Sequence, residues 1–131
     1  MAKISYLELS NRDYEYASQM YNLDYYNPCG RFCQQSVEKR LKHFINIKGN
    51  SSDLRKFSTH NLRVLYQRVC SLLSQATDRQ TELELANLSD YYFDTNYPND
   101  NFLELSKENA QKSLEITKEI NNWIDASLIE T

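Results

Sequence analysis

Residues 27–49 read Asn27-Pro28-Cys29-Gly30-Arg31-Phe32-Cys33-Gln34-Gln35-Ser36-Val37-Glu38-Lys39-Arg40-Leu41-Lys42-His43-Phe44-Ile45-Asn46-Ile47-Lys48-Gly49. Cys29, Phe32, Cys33, Val37, Leu41, Phe44 and Ile45 recur at steps of three and four, which winds them into one apolar stripe of an α-helix. The ends carry their own chemistry. Asn27 stands as a cap, Pro28 sits at the first helical position where its missing N–H costs nothing, and Gly49 follows the last turn. A helix of this length with one continuous apolar stripe is a core element, and the rest of the chain has to supply its partners.

The flanking sequence supplies them as helices. Ser10 with Asp13 forms an S-x-x-D capping pattern that opens a first helix running to about Leu23, with Tyr14, Ala17, Met20, Tyr21 and Tyr25 at helical spacing. A third helix opens near Thr59 and turns Leu62, Leu65, Tyr66, Val69, Leu72 and Leu73 inward. Thr77 with Gln80 starts a fourth, shorter helix, and Asn101 with Glu104 caps a last one carrying Leu105, Ala110, Leu114, Thr117, Ile120, Ile124 and Leu128. Pro98 and three asparagines break the chain between 94 and 101, and 49–58 reads as a polar loop. Two glycines and two prolines in 131 residues leave no chemical basis for the many tight turns of a sandwich or barrel. The expectation is one all-α domain over residues 1–131, an up-and-down helical bundle. No apolar run approaches the ~20 residues of a spanning helix, and the first residues lack the apolar core of a secretion signal, so a cytoplasmic protein is expected.

The net charge of −3 conceals an uneven distribution. Residues 31–68 hold nine Lys or Arg against two acids, whereas 78–131 hold four against twelve. Such a chain either offers a basic surface to phosphates or neutralises itself where basic and acidic helices meet. Cys29, Cys33, His43, His60 and Cys70 lack the paired spacing of a zinc site, so no metal is expected and the cysteines read as small reduced core residues. Two glycines also rule out a phosphate loop or dinucleotide fingerprint, and no cofactor is expected. Ten tyrosines, clustered as Tyr21, Tyr25, Tyr26 and as Tyr91, Tyr92, Tyr97, suit core and rim packing, a subunit interface or stacking on bases.

The stretch from Tyr26 to Ile45 resembles the second helix of HEPN domains (higher eukaryotes and prokaryotes nucleotide-binding), where a Gln-Gln-x-x-Glu-Lys-x-x-Lys pattern is typical. Gln34, Gln35, Glu38, Lys39 and Lys42 match it. Thr59-His60-Asn61-Leu62 is similar to the family's His-Asp-Leu element ahead of the next helix, with Asn61 in place of the acid. Asn96-Tyr97-Pro98 is similar to its Arg-Tyr-Pro element, with Asn96 in place of arginine.

The resemblance implies a four-helix bundle with an additional short helix, a homodimer, and frequent association with a small nucleotidyltransferase in toxin–antitoxin pairs. It implies a non-catalytic module contacting nucleotide, RNA or that partner, with Arg31, Gln35, Lys39, Lys42 and Tyr97 as ligand-binding candidates. The family's ribonuclease branch cleaves RNA without metal through an arginine followed four to six residues later by histidine, toward the C-terminal helices. No histidine follows His60 here. Arg55 in the polar loop and His60 at the start of the third helix satisfy the spacing, but their mutual geometry is not set by consecutive turns of one helix. They are catalytic candidates only under the alternative of a ribonuclease toxin; a structural dimeric adaptor is the third reading.

Overall fold

The computed structural model describes residues 4–50, 59–95 and 102–130, together with Asp53 and Pro98. Among these residues the chain forms five helices and no strand: α1 (Tyr6–Asn22), α2 (Tyr26–Lys48), α3 (Leu62–Leu72), α4 (Arg79–Asp94) and α5 (Lys107–Glu130). The hydrogen-bond register gives their directions. Asn11 meets Arg40 while Tyr16 meets Phe32, so α1 runs antiparallel to α2. Ser36 meets Asn121 and Arg40 meets Asp125, so α5 runs parallel to α2. Gln67 bonds Glu82 and the Leu62 amide reaches Ser89, which sets α4 against α3, and α4 ends where Thr95 meets Arg31. Hence α1, α2, α4 and α5 alternate as an up-and-down bundle, and the short α3 is the added helix.

The stripe on α2 is the centre of the core. Cys29, Cys33, Val37, Leu41, Phe44 and Ile45 are buried against Ala17, Leu62, Leu65, Val69, Leu85, Leu88, Ala110, Ile120 and Ile124, while Phe32 is partly buried. Each Leu, Ile or Phe removed from water contributes about 1.5–3 kcal/mol, so this stripe dominates the stability. All three cysteines are buried free thiols, and no group of residues able to hold a metal occurs among the described residues. No described helix is long and apolar enough to cross a membrane.

Several helix ends lie away from where the sequence places them. The S-x-x-E pattern at Ser5 and Glu8 forms the capping box of α1, one turn ahead of Ser10. Ser10 is instead buried, donating to the Ser36 carbonyl at 2.7 Å, and Asp13 pairs with Lys39. Helix α2 begins at Tyr26 without a side-chain cap, because Asn27 has other work. Its Oδ1 accepts from the Leu105 amide at 2.7 Å and its Nδ2 donates to the Leu103 carbonyl, latching the segment ahead of α5. Gly30 permits that approach, since a Cβ there would collide with Leu105. Asn61, not Thr59, caps α3 through the amides of Arg63 and Val64, and Asp78, not Thr77, caps α4 through Thr81. Asn101 lies outside the described residues. Residues 102–106 are not helical, and Ser106 and Asn109 exchange hydrogen bonds where α5 begins. Tyr25 falls beyond α1 and is exposed.

Candidate functional site

The polar side of α2 folds inward on itself. Glu38 is buried, its side chain 5% exposed, and an isolated carboxylate so placed would be strongly unfavourable. Three donors compensate it: Gln34 Nε2 at 3.1 Å, Lys42 Nζ at 3.1 Å and His60 Nδ1 at 3.0 Å. Gln34 also donates to the His60 carbonyl, so two side chains of α2 clamp the residue that precedes the α3 cap. The residue after Glu38, Lys39, pairs with the buried Asp13 of α1 and donates to Gln35 Oε1, and Gln35 in turn donates to Gln34. Gln34, Gln35, Glu38, Lys39 and Lys42 therefore form one connected network across the α1–α2–α3 seam.

That network spends two of the expected ligand-binding cations on internal carboxylates. Arg31 differs. Its Nη1 donates to the Thr95 carbonyl at 3.1 Å, at the end of α4, and no carboxylate neutralises it among the described residues. Beside it a surface pocket of about 300 Å³ is lined by Pro28, Arg31, Phe32, Gln35 and Tyr92. The structure thus brings Arg31 and Gln35 together with two aromatic rings and leaves Lys39 and Lys42 engaged elsewhere. Tyr97 and Arg55 lie outside the described residues.

His60, expected to begin the third helix, lies just ahead of the Asn61 cap and is anchored there by Gln34 and Glu38. Its Nδ1 lies 3.0 Å from Glu38 Oε1, and the side chain as a whole is 66% exposed.

Sequence reasoning missed the second polar network. Arg40 is buried. It donates to both oxygens of Asp125 at 2.6 and 2.8 Å, to Ser10 Oγ at 3.0 Å and to Asn11 Oδ1. The Ser36 hydroxyl donates to the Ser10 carbonyl and accepts from Asn121, tying α1, α2 and α5 together. The signal was available: Arg40 stands three residues after Val37 and four before Phe44, so it interrupts the apolar stripe with a charge. Nearby His43 has its pKa lowered by burial and by the Arg40 charge, partly opposed by Asp125. In the core, Cys33 is pushed well up by its neighbour Cys29 and by burial, consistent with an inert thiol.

A central helix with polar networks on two flanks, in a bundle of four alternating helices and one short addition, defines an all-α scaffold of recognisable type. The HEPN domain model matches residues 5–127, and the chain belongs to that family. The crystal structure of an archaeal HEPN homologue superposes with a TM-score of 0.70 at 17% identity, over 92% of this chain and 93% of that one, a likeness of fold. No curated protein matches the sequence. The family and the four-plus-one-helix architecture read from the sequence both stand.

Proposed function

We propose that this HEPN domain is a non-catalytic, homodimeric binding module that takes nucleotide or RNA at the pocket of Arg31, Gln35 and Tyr92. The observation that carries this reading is the state of Arg31, a guanidinium anchored to a carbonyl with its charge uncompensated by carboxylate among the described residues. Arginine in that state binds phosphate, and Tyr92 and Phe32 line the same pocket with aromatic surface of the kind bases stack on. A small nucleotidyltransferase fits the same role as a partner. Titration of a labelled nucleotide and a short RNA at several salt concentrations tests it, with light scattering for the dimer. Arg31→Ala should weaken binding at least about tenfold and reduce its salt dependence. Unchanged binding in that variant sinks the assignment.

A ribonuclease is the second reading, favoured by the Glu38–His60 contact, which positions an imidazole for proton transfer. Metal-free incubation with defined RNAs separates the two. Cleavage to cyclic phosphate ends, abolished by His60→Ala, would replace the non-catalytic reading.

A further inference from the structure

The groove where α1 and α5 cross over Arg40 holds a separate pocket of about 220 Å³ that shares no residue with the Arg31 site. Its charge is set by subtraction. Arg40 and Asp125 cancel through their two-fold hydrogen bond, which leaves Lys118, exposed and without an ion-pair partner among the described residues, as the uncompensated cation. Lysine is a point charge well suited to phosphate.

The remaining lining is Tyr14, three asparagine amides and the Asp125 carboxylate. Asn11 gives its Oδ1 to Arg40, which leaves its two N–H donors for a ligand. Asn121 is only 6% exposed and commits Nδ2 to Ser36, while its Oδ1 is a buried acceptor with no donor among the described residues. Asn122 adds a second exposed amide, and the Asp125 side chain is 48% exposed, so its carboxylate keeps an open edge. Closely spaced donors and acceptors suit hydroxyl groups, which do both, and a carboxylate is a common partner for sugar hydroxyls. The volume lies below the ~300–1,000 Å³ of pockets that take drug-sized ligands, so the occupant is small.

We propose that this pocket binds a small sugar phosphate, of pentose phosphate size, with the phosphate on Lys118 and the hydroxyls among Asn11, Asn122 and Asp125. The site is independent of the Arg31 pocket and does not rest on the function assigned there. Calorimetric titration of the whole chain with ribose 5-phosphate, ribose, inorganic phosphate and AMP tests it. Ribose 5-phosphate should bind once per chain, with ribose, phosphate and AMP each at least about tenfold weaker. Lys118→Glu and Asn122→Leu, both on the exposed side of α5, should each weaken it by a similar factor, and Arg31→Ala should leave it unchanged. The proposal is overturned if ribose 5-phosphate does not bind at millimolar concentration. It is equally overturned if phosphate alone or AMP binds as tightly, or if Arg31→Ala abolishes binding while Lys118→Glu does not.

Discussion

The two polar flanks of α2 each pair an acidic with a basic side chain, in opposite order of burial. On the α3 side the carboxylate of Glu38 is inside and its partner His60 is exposed. On the α5 side the guanidinium of Arg40 is inside, 5% exposed, and its partner Asp125 is half in water. A buried ion contributes little net stability when paired, yet leaves a large uncompensated cost when its partner goes. The difference teaches which residue of each pair is structural. Glu38 and Arg40 sit inside the bundle and depend on their partners, whereas His60 and Asp125 also have an exposed side through which they can act on something else.

The largest effect should come from Arg40. Arg40→Ala removes a buried guanidinium with its bonds to Asp125, Ser10 and Asn11 and leaves a cavity, so urea unfolding should show a loss of about 2–5 kcal/mol. Against a typical total of about 5–15 kcal/mol, that brings the domain near its limit. Arg40→Met, which restores volume without charge, should recover roughly half of the loss. Equal instability in the two variants would show that the hydrogen bonds, not the space, decide the site.

Glu38→Gln should cost less, about 1–3 kcal/mol, because an amide still accepts but cannot satisfy three donors at once. The sharper readout is His60. Nitrogen NMR should show Nδ1–H in the native domain and a mixture of tautomers in the variant. An unchanged tautomer would mean that Glu38 does not orient the ring, and the contrast between the two flanks would lose one side. The same result would weaken the ribonuclease reading, which needs that orientation.

The core was the legible part. Its stripe on α2 and the inward positions of α3 follow from spacing alone, because burial of apolar groups has a period that sequence displays. Helix ends were less legible, since Ser, Thr, Asn and Asp occur in excess and several neighbours compete for each cap. Ser10 and Asn27 illustrate it: both have the chemistry of a cap, and both are used for contacts 26 to 78 residues away. Two turns use Asp24 and Ser74 at positive φ, where glycine is the usual signal, so nothing in the sequence marked them. For the site, the Glu38–Lys42 pair was legible from its i,i+4 spacing on one helix, whereas Lys39 was not legible as a spent charge, because its partner Asp13 comes from another helix. Arg31 keeps its standing as a candidate because its anchor at Thr95, 64 residues away, is a neutral carbonyl.

The smallest effect is on pH dependence, and it belongs to the Arg40 flank alone. His43 lies one turn beyond Arg40, partly buried, and both its burial and the Arg40 charge disfavour the imidazolium in the folded state. Its folded pKa is therefore below the unfolded value of about 6.5. A depressed pKa means that the unfolded chain binds the proton first, so the stabilising contribution is present above about pH 6.5 and is lost as pH falls below it. Solvent around a partly exposed ring screens the effect to less than about 1 kcal/mol. Urea unfolding at pH 7.5 and 5.5 should show a slightly smaller drop in His43→Gln than in the native chain, since acid titration of the carboxylates is common to both. In the Arg40→Met background the contribution of His43 should shrink without vanishing, because the charge has gone while the burial remains. If the His43→Gln difference is the same in both backgrounds, burial alone sets the imidazole, and the field of Arg40 ends at Asp125.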